Sequence, residues 1–123
     1  ADFFVPVVDR EGAPAQVPIS VLHKLGYGLE FRKDGTLDDL RIDWRAIGAH
    51  LLALEAAGIP HHVSIERIIL TPDFHRTLFA QVPALLRLAP LFMKREAWVR
   101  HDEHYHVDFA IPQRLRRPLS CPR

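Results

Sequence analysis

The chain has 123 residues, 48% hydrophobic and 25% charged, which suits one compact domain with a buried core. A formal net charge of +1 argues against a nucleic-acid module, which would show a basic face. No apolar run approaches the roughly 18 residues of a membrane span, and the single cysteine, Cys121, cannot close an internal disulfide.

Asp2 to Val8 is rich in β-formers, and Pro6 within it marks an edge or a bend. Asp9-Arg-Glu-Gly12 reads as a turn. Gln16 to Val21 reads as a short return strand. Gly26 to Arg32 reads as another, closed by the turn Lys33-Asp-Gly35. Asp43 is placed to cap a helix running to Ala57, with Ile47, Leu51 and Leu54 as its buried stripe. Gly58 is the expected left-handed residue after that helix, and Pro60 prevents continuation. Val63 to Leu70 reads as a buried strand with little polar face. Thr71-Pro72-Asp73 starts a second helix with Phe74, Leu78 and Val82 on its apolar side. Pro83 and Pro90 bound a short apolar segment. Residues 104 to 110 form a last strand, and a proline- and arginine-rich tail follows. The tail's basic cluster, Arg114 to Arg117, is expected to be solvated. The expected fold is α+β, a small mostly antiparallel sheet flanked by helices, in one domain spanning 1–123.

Chemistry concentrates in Trp98-Val-Arg-His101-Asp-Glu-His104-Tyr-His106-Val-Asp108-Phe. A strand has side-chain period two, so His104 and His106 project from one face, with Asp108 in phase. Imidazoles converging beside carboxylates suit a divalent metal, and neutral imidazole suits zinc. His106 is the candidate ligand. His104 and His101, outside the metal's immediate shell, would carry a proton or stabilise charge on a scissile carbonyl. The plainer reading makes all three surface histidines on an edge strand. Asp102 and Glu103 either orient histidines or form a charged turn. Trp98 is a core anchor or an aromatic at a cleft rim. His50 and His75, on the two helices, read as packed or solvent-facing, and His61 and His62 as loop residues.

The segment His101-Asp-Glu-His104-Tyr-His106-Val resembles the C-terminal motif of the penicillin-insensitive murein endopeptidases, His-Asp-Asp/Glu-His-x-His-Val. These belong to the zinc peptidases that include lysostaphin-type enzymes, D-alanyl-D-alanine peptidases and hedgehog domains. The resemblance implies that His106 ligates Zn2+ and that His104 and His101 line the catalytic centre. The family's other motif, Ser-His-x-x-Gly-x-Asp-x-Asp followed by a strand, resembles the opening Ala1-Asp2-Phe-Phe-Val in its last two positions. That makes Asp2 a second zinc ligand by resemblance. The motif's histidine, a third ligand, then falls upstream of Ala1, so the domain is expected to be N-terminally truncated. Asp34-Gly35, Asp43-Trp44 and Glu66-Arg67-Ile68-Ile69 are similar to the family's middle section. The implied activity is hydrolysis of peptide cross-links in peptidoglycan, the D-alanyl–diaminopimelate bond included, in the periplasm. The alternatives are a domain that binds cell-wall peptide or metal without turnover, and a metal hydrolase of other specificity.

Overall fold

Two small antiparallel sheets share one hydrophobic core in the computed structural model, which describes residues 1–15, 31–94 and 104–112. The first sheet has the order β1-β7-β6, built from β1 (Asp2–Phe4), β7 (His104–Ala110) and β6 (Ser64–Ile69). The second has the order β3-β2-β5-β4, from β2 (Val7–Val8), β3 (Pro14–Ala15), β4 (Thr36–Leu37) and β5 (Leu40–Ile42). Helix α1 (Trp44–Gly58) joins β5 to β6, and α2 (His75–Gln81) lies between β6 and β7. The class is therefore α+β, as expected, with two sheets in place of one. Among the described residues, no helix is long and apolar enough to cross a membrane.

Pro6 marks the bend where the chain leaves the first sheet for the second, between β1 and β2. Asp9 then tightens the turn to β3, its carboxylate accepting from the backbone N–H of Glu11 and Ala13. Of the two strands expected between residues 16 and 32, residues 16–30 lie outside the described set. Phe31 and Arg32 are irregular, and Phe31 is buried in the core. The hairpin from β4 to β5 was not anticipated. It turns through Asp38-Asp39, with Asp38 at a φ of 53°, a conformation that Asp tolerates without the usual glycine.

Helix α1 begins where expected, with the Asp43 side chain accepting from the Ala46 N–H at 3.1 Å. Its stripe is also as expected: Ile47 and Leu51 are fully buried, and Leu54 packs against the core. Its end differs. Gly58 has right-handed φ/ψ of −76° and −24°, a 3-10 turn over Ile59–His61 follows, and His62 takes the left-handed conformation at φ 57°. Glycine is required at 58 for space. A Cβ there would lie 2.2 Å from the Val63 carbonyl oxygen.

Two further segments depart from expectation. Thr71 makes no side-chain cap, and its buried hydroxyl has no hydrogen-bond partner among the described residues. Pro72–Phe74 form a 3-10 turn before α2 starts at His75, and Pro83–Leu91 form another after it. Strand β6 is half polar, with Ile65 and Ile68 buried while Ser64, Glu66 and Arg67 are exposed. A strict period of two cannot bury both Ile65 and Ile68. A β-bulge resolves this: Ile65 pairs with Phe109 and Arg67 with Asp108, leaving Glu66 as the extra residue.

Gly58→Ala is expected to lower stability by about 1–3 kcal/mol through overpacking against the Val63 backbone. At an unhindered helix position the same change would raise stability by about 0.8–1 kcal/mol. The sign of the shift in a urea unfolding midpoint separates the two outcomes.

Candidate metal centre

The register of β1 on β7 determines which side chains meet. Ala1 and Val107 exchange both backbone hydrogen bonds, at 2.8 and 2.9 Å. The next pair, Asp2 opposite His106, is therefore a non-hydrogen-bonded pair, the type with closer side chains. The imidazole Nδ1 of His106 lies 2.7 Å from Asp2 Oδ1, though 104 positions separate the residues in sequence. Phe4 lies opposite His104 on the same face and is 70% exposed.

The other ring nitrogen of His106 is also engaged. Nε2 lies 2.6 Å from Asp108 Oδ1. Asp108 in turn accepts from Arg67 on β6, whose Nε and Nη2 both donate to Oδ2, at 2.9 and 2.6 Å. A continuous polar chain thus crosses the open face of the sheet: Asp2 on β1, His106 and Asp108 on β7, Arg67 on β6. Sequence reasoning placed Asp108 in phase with the histidines but did not find Arg67. Its only signal was a basic residue in β6, and the bulge that aims it has no mark in the sequence.

Electrostatics follow this geometry. The Asp2 carboxyl is held below its ordinary range, first by the hydrogen bond from His106 and then by the charges of His106, His104 and the N-terminus. Asp108 is held low chiefly by Arg67, and next by His106.

Behind the polar face, β7 turns Tyr105 and Val107 into the core. The Tyr105 hydroxyl is 2.6 Å from His50 Nδ1 on α1, and burial pushes the phenol up to about 12. The His50 ring also meets Phe3 edge-on at 4.5 Å. His50 is therefore a packing residue that ties α1 to the back of the β1–β7 pair. His75 is similar. Its Nε2 lies 2.9 Å from the Leu70 carbonyl, Phe79 and Phe92 flank it, and burial lowers its pKa. His61 and His62 are exposed, as expected of loop residues. His101, Trp98, Asp102, Glu103, Arg114 to Arg117 and Cys121 lie outside the described residues.

Zinc bonds of about 2.0–2.1 Å in tetrahedral geometry put neighbouring donors roughly 3.3 Å apart. Asp2 Oδ1 and His106 Nδ1 are of the right chemical type and stand somewhat closer than that. The Asp2 side chain is 63% exposed, so it can give the few tenths of an ångström required. The pair fits as two ligands of a zinc site. Among the described residues, no group of three or more His, Cys, Asp or Glu side chains gathers in a metal-holding arrangement.

Compared with known proteins, the chain matches no family model, no curated protein and no solved structure. The likeness to the murein endopeptidases stands on the motif residues alone.

Folding favours the charged form of Asp108, since its native pKa is lowered. Its contribution is complete above the unfolded carboxylate value of about 3.9 and is lost as pH falls through the lower native value. Asp108→Asn should therefore flatten the acid limb of a plot of melting temperature against pH, below about pH 4. An acid limb unchanged by the substitution would mean that Arg67 and His106 do not hold this carboxylate in solution.

Proposed function

We propose that this chain is a zinc peptidase domain of the murein endopeptidase type, acting on peptide cross-links of peptidoglycan in the periplasm. One observation carries the reading. The two residues that the motif resemblance nominates as zinc ligands, at opposite ends of the sequence, stand side by side on an open sheet face. Nothing in composition or local periodicity requires that meeting.

Asp2 and His106 would hold the ion, and the resemblance implies a histidine as third ligand. When bound, zinc supplies Lewis acidity, which lowers the pKa of a water to about 7 and polarises an amide carbonyl. His104 shares the face of Asp2 and His106, which supports a role in taking a proton from the attacking water or in stabilising negative charge on the carbonyl oxygen. By resemblance His101 joins it. The exposed Phe4 ring opposite His104 offers an apolar wall for a substrate side chain. Such chemistry uses no serine or cysteine nucleophile and so offers β-lactams no residue to acylate. The D-alanyl–diaminopimelate bond is the substrate that the resemblance assigns.

The test uses full-length protein, metal analysis and digestion of purified muropeptides. The parent protein is expected to carry zinc and to release cross-link cleavage products. His106→Ala and Asp2→Ala should each lose zinc. His104→Ala should keep the metal and lose about 10²–10⁴-fold in turnover. Zinc-loaded parent protein that leaves cross-linked muropeptides intact would remove the peptidase assignment and favour a binding domain without turnover.

A further inference from the structure

The carboxylate of Asp108 and the guanidinium of Arg67 have no part in the ligand set above, yet they determine how His106 is presented. A neutral imidazole carries one N–H, so it donates through one nitrogen and offers a lone pair at the other. A ring that binds a metal must leave one nitrogen free of its proton. His106 has a carboxylate at each nitrogen, and the better-fixed acceptor decides which nitrogen keeps the hydrogen.

The two acceptors differ in how they are held. Asp108 is clamped: Oδ2 takes two hydrogen bonds from Arg67, and Oδ1 is left pointing at His106 Nε2. Its side chain is 28% exposed, against 63% for Asp2. Asp2 sits on the three-residue β1, and its contact with His106 Nδ1 is the one its carboxylate makes among the described residues. The clamp depends on the bulge at Glu66. With a regular β6 register continued from Ile65 opposite Phe109, Glu66 would face Asp108, setting two carboxylates against each other.

We propose that Asp108, buttressed by Arg67, is a positioning residue that keeps the hydrogen of His106 on Nε2 and turns the Nδ1 lone pair toward Asp2 and the metal. This rests on the metal reading of the Asp2–His106 pair. A carboxylate behind a ligating histidine fixes the ring's tautomer and orientation and raises its basicity, and losing such a partner typically costs 10–100-fold in metal affinity.

The experiment measures zinc affinity of the full-length protein by competition with a chromophoric chelator, beside ¹⁵N spectra of the imidazoles at neutral pH. Asp108→Ala should weaken zinc binding about 10–100-fold and shift the His106 signals away from the Nε2–H tautomer. Arg67→Met should move both readouts the same way by less. Asp108→Asn keeps the side-chain volume and one acceptor oxygen, so it should recover part of the loss. It also serves as the folded variant if the alanine protein does not fold. Zinc affinity within twofold of the parent in Asp108→Asn and Asp108→Ala, with the tautomer unchanged and His106→Ala devoid of zinc, overturns the positioning role and leaves the metal site standing. Parent-like zinc binding by His106→Ala overturns the metal reading itself, and the positioning role with it.

Discussion

The antiparallel pairing of β1 with β7 is the constraint on which the open face depends. It joins residues about a hundred positions apart, and closing a flexible loop of that length costs roughly 4 kcal/mol, with a constant added. A three-residue strand cannot offset this with its own hydrogen bonds, each worth about 1 kcal/mol net. The compensation comes from the far side of the same strands. Tyr105 and Val107 are buried, Phe3 packs on Tyr105 and His50, and burying one large apolar side chain contributes about 1.5–3 kcal/mol. The core thus holds the polar face together from behind. The Asp2–His106 contact is a consequence of that packing and makes only a small contribution to it.

Period-two alternation lets one strand do both jobs. Along β7, Tyr105 and Val107 point inward while His104, His106 and Asp108 point outward. A one-residue slip of β7 would exchange the two sets, burying imidazoles and exposing the core. Apolar burial therefore sets the register that the outward residues need. On β6 the same demand is met differently. The bulge at Glu66 keeps Ile65 and Ile68 in the core and brings Arg67 round to Asp108.

What could be read in the sequence is what local chemistry fixes. Asp43 before an apolar stripe of period 3.6 gave the start and buried face of α1, because a cap and a stripe are properties of neighbouring residues. The shared face of His104 and His106 followed from strand periodicity alone. The meeting of Asp2 with His106 was legible only through motif resemblance, since no local rule reports a contact across most of the chain. The failures have the same origin. Gly58 was expected to be left-handed and is not; its lack of a Cβ admits the Val63 carbonyl, a contact that exists only once the chain has turned. Glu66-Arg67 read as part of a buried strand because Ile65, Ile68, Ile69 and Leu70 crowd the window, and a bulge carries no residue signature there. The β4–β5 turn at Asp38-Asp39 lacks the glycine that usually announces a two-residue hairpin loop.

The position of β7 in its sheet determines what can reach His106. As the central strand of β1-β7-β6, it pairs with a strand on each side, so an outward side chain on it can be approached from two directions. His106 receives the Asp2 carboxylate from the β1 side, and through Asp108 it is tied to Arg67 on the β6 side. The two sides differ in how they are held: Asp108 takes two hydrogen bonds from Arg67 on the six-residue β6 and touches His106 Nε2, whereas Asp2 is an exposed acid on the three-residue β1. That inequality suits the ion site proposed above. Under the proposed metal reading, a ring fixed from behind would give direction, and the exposed Asp2 carboxylate in front would set its distance to the ion without disturbing the core. An edge-strand histidine would lack the first property, and a pair of clamped ligands would lack the second.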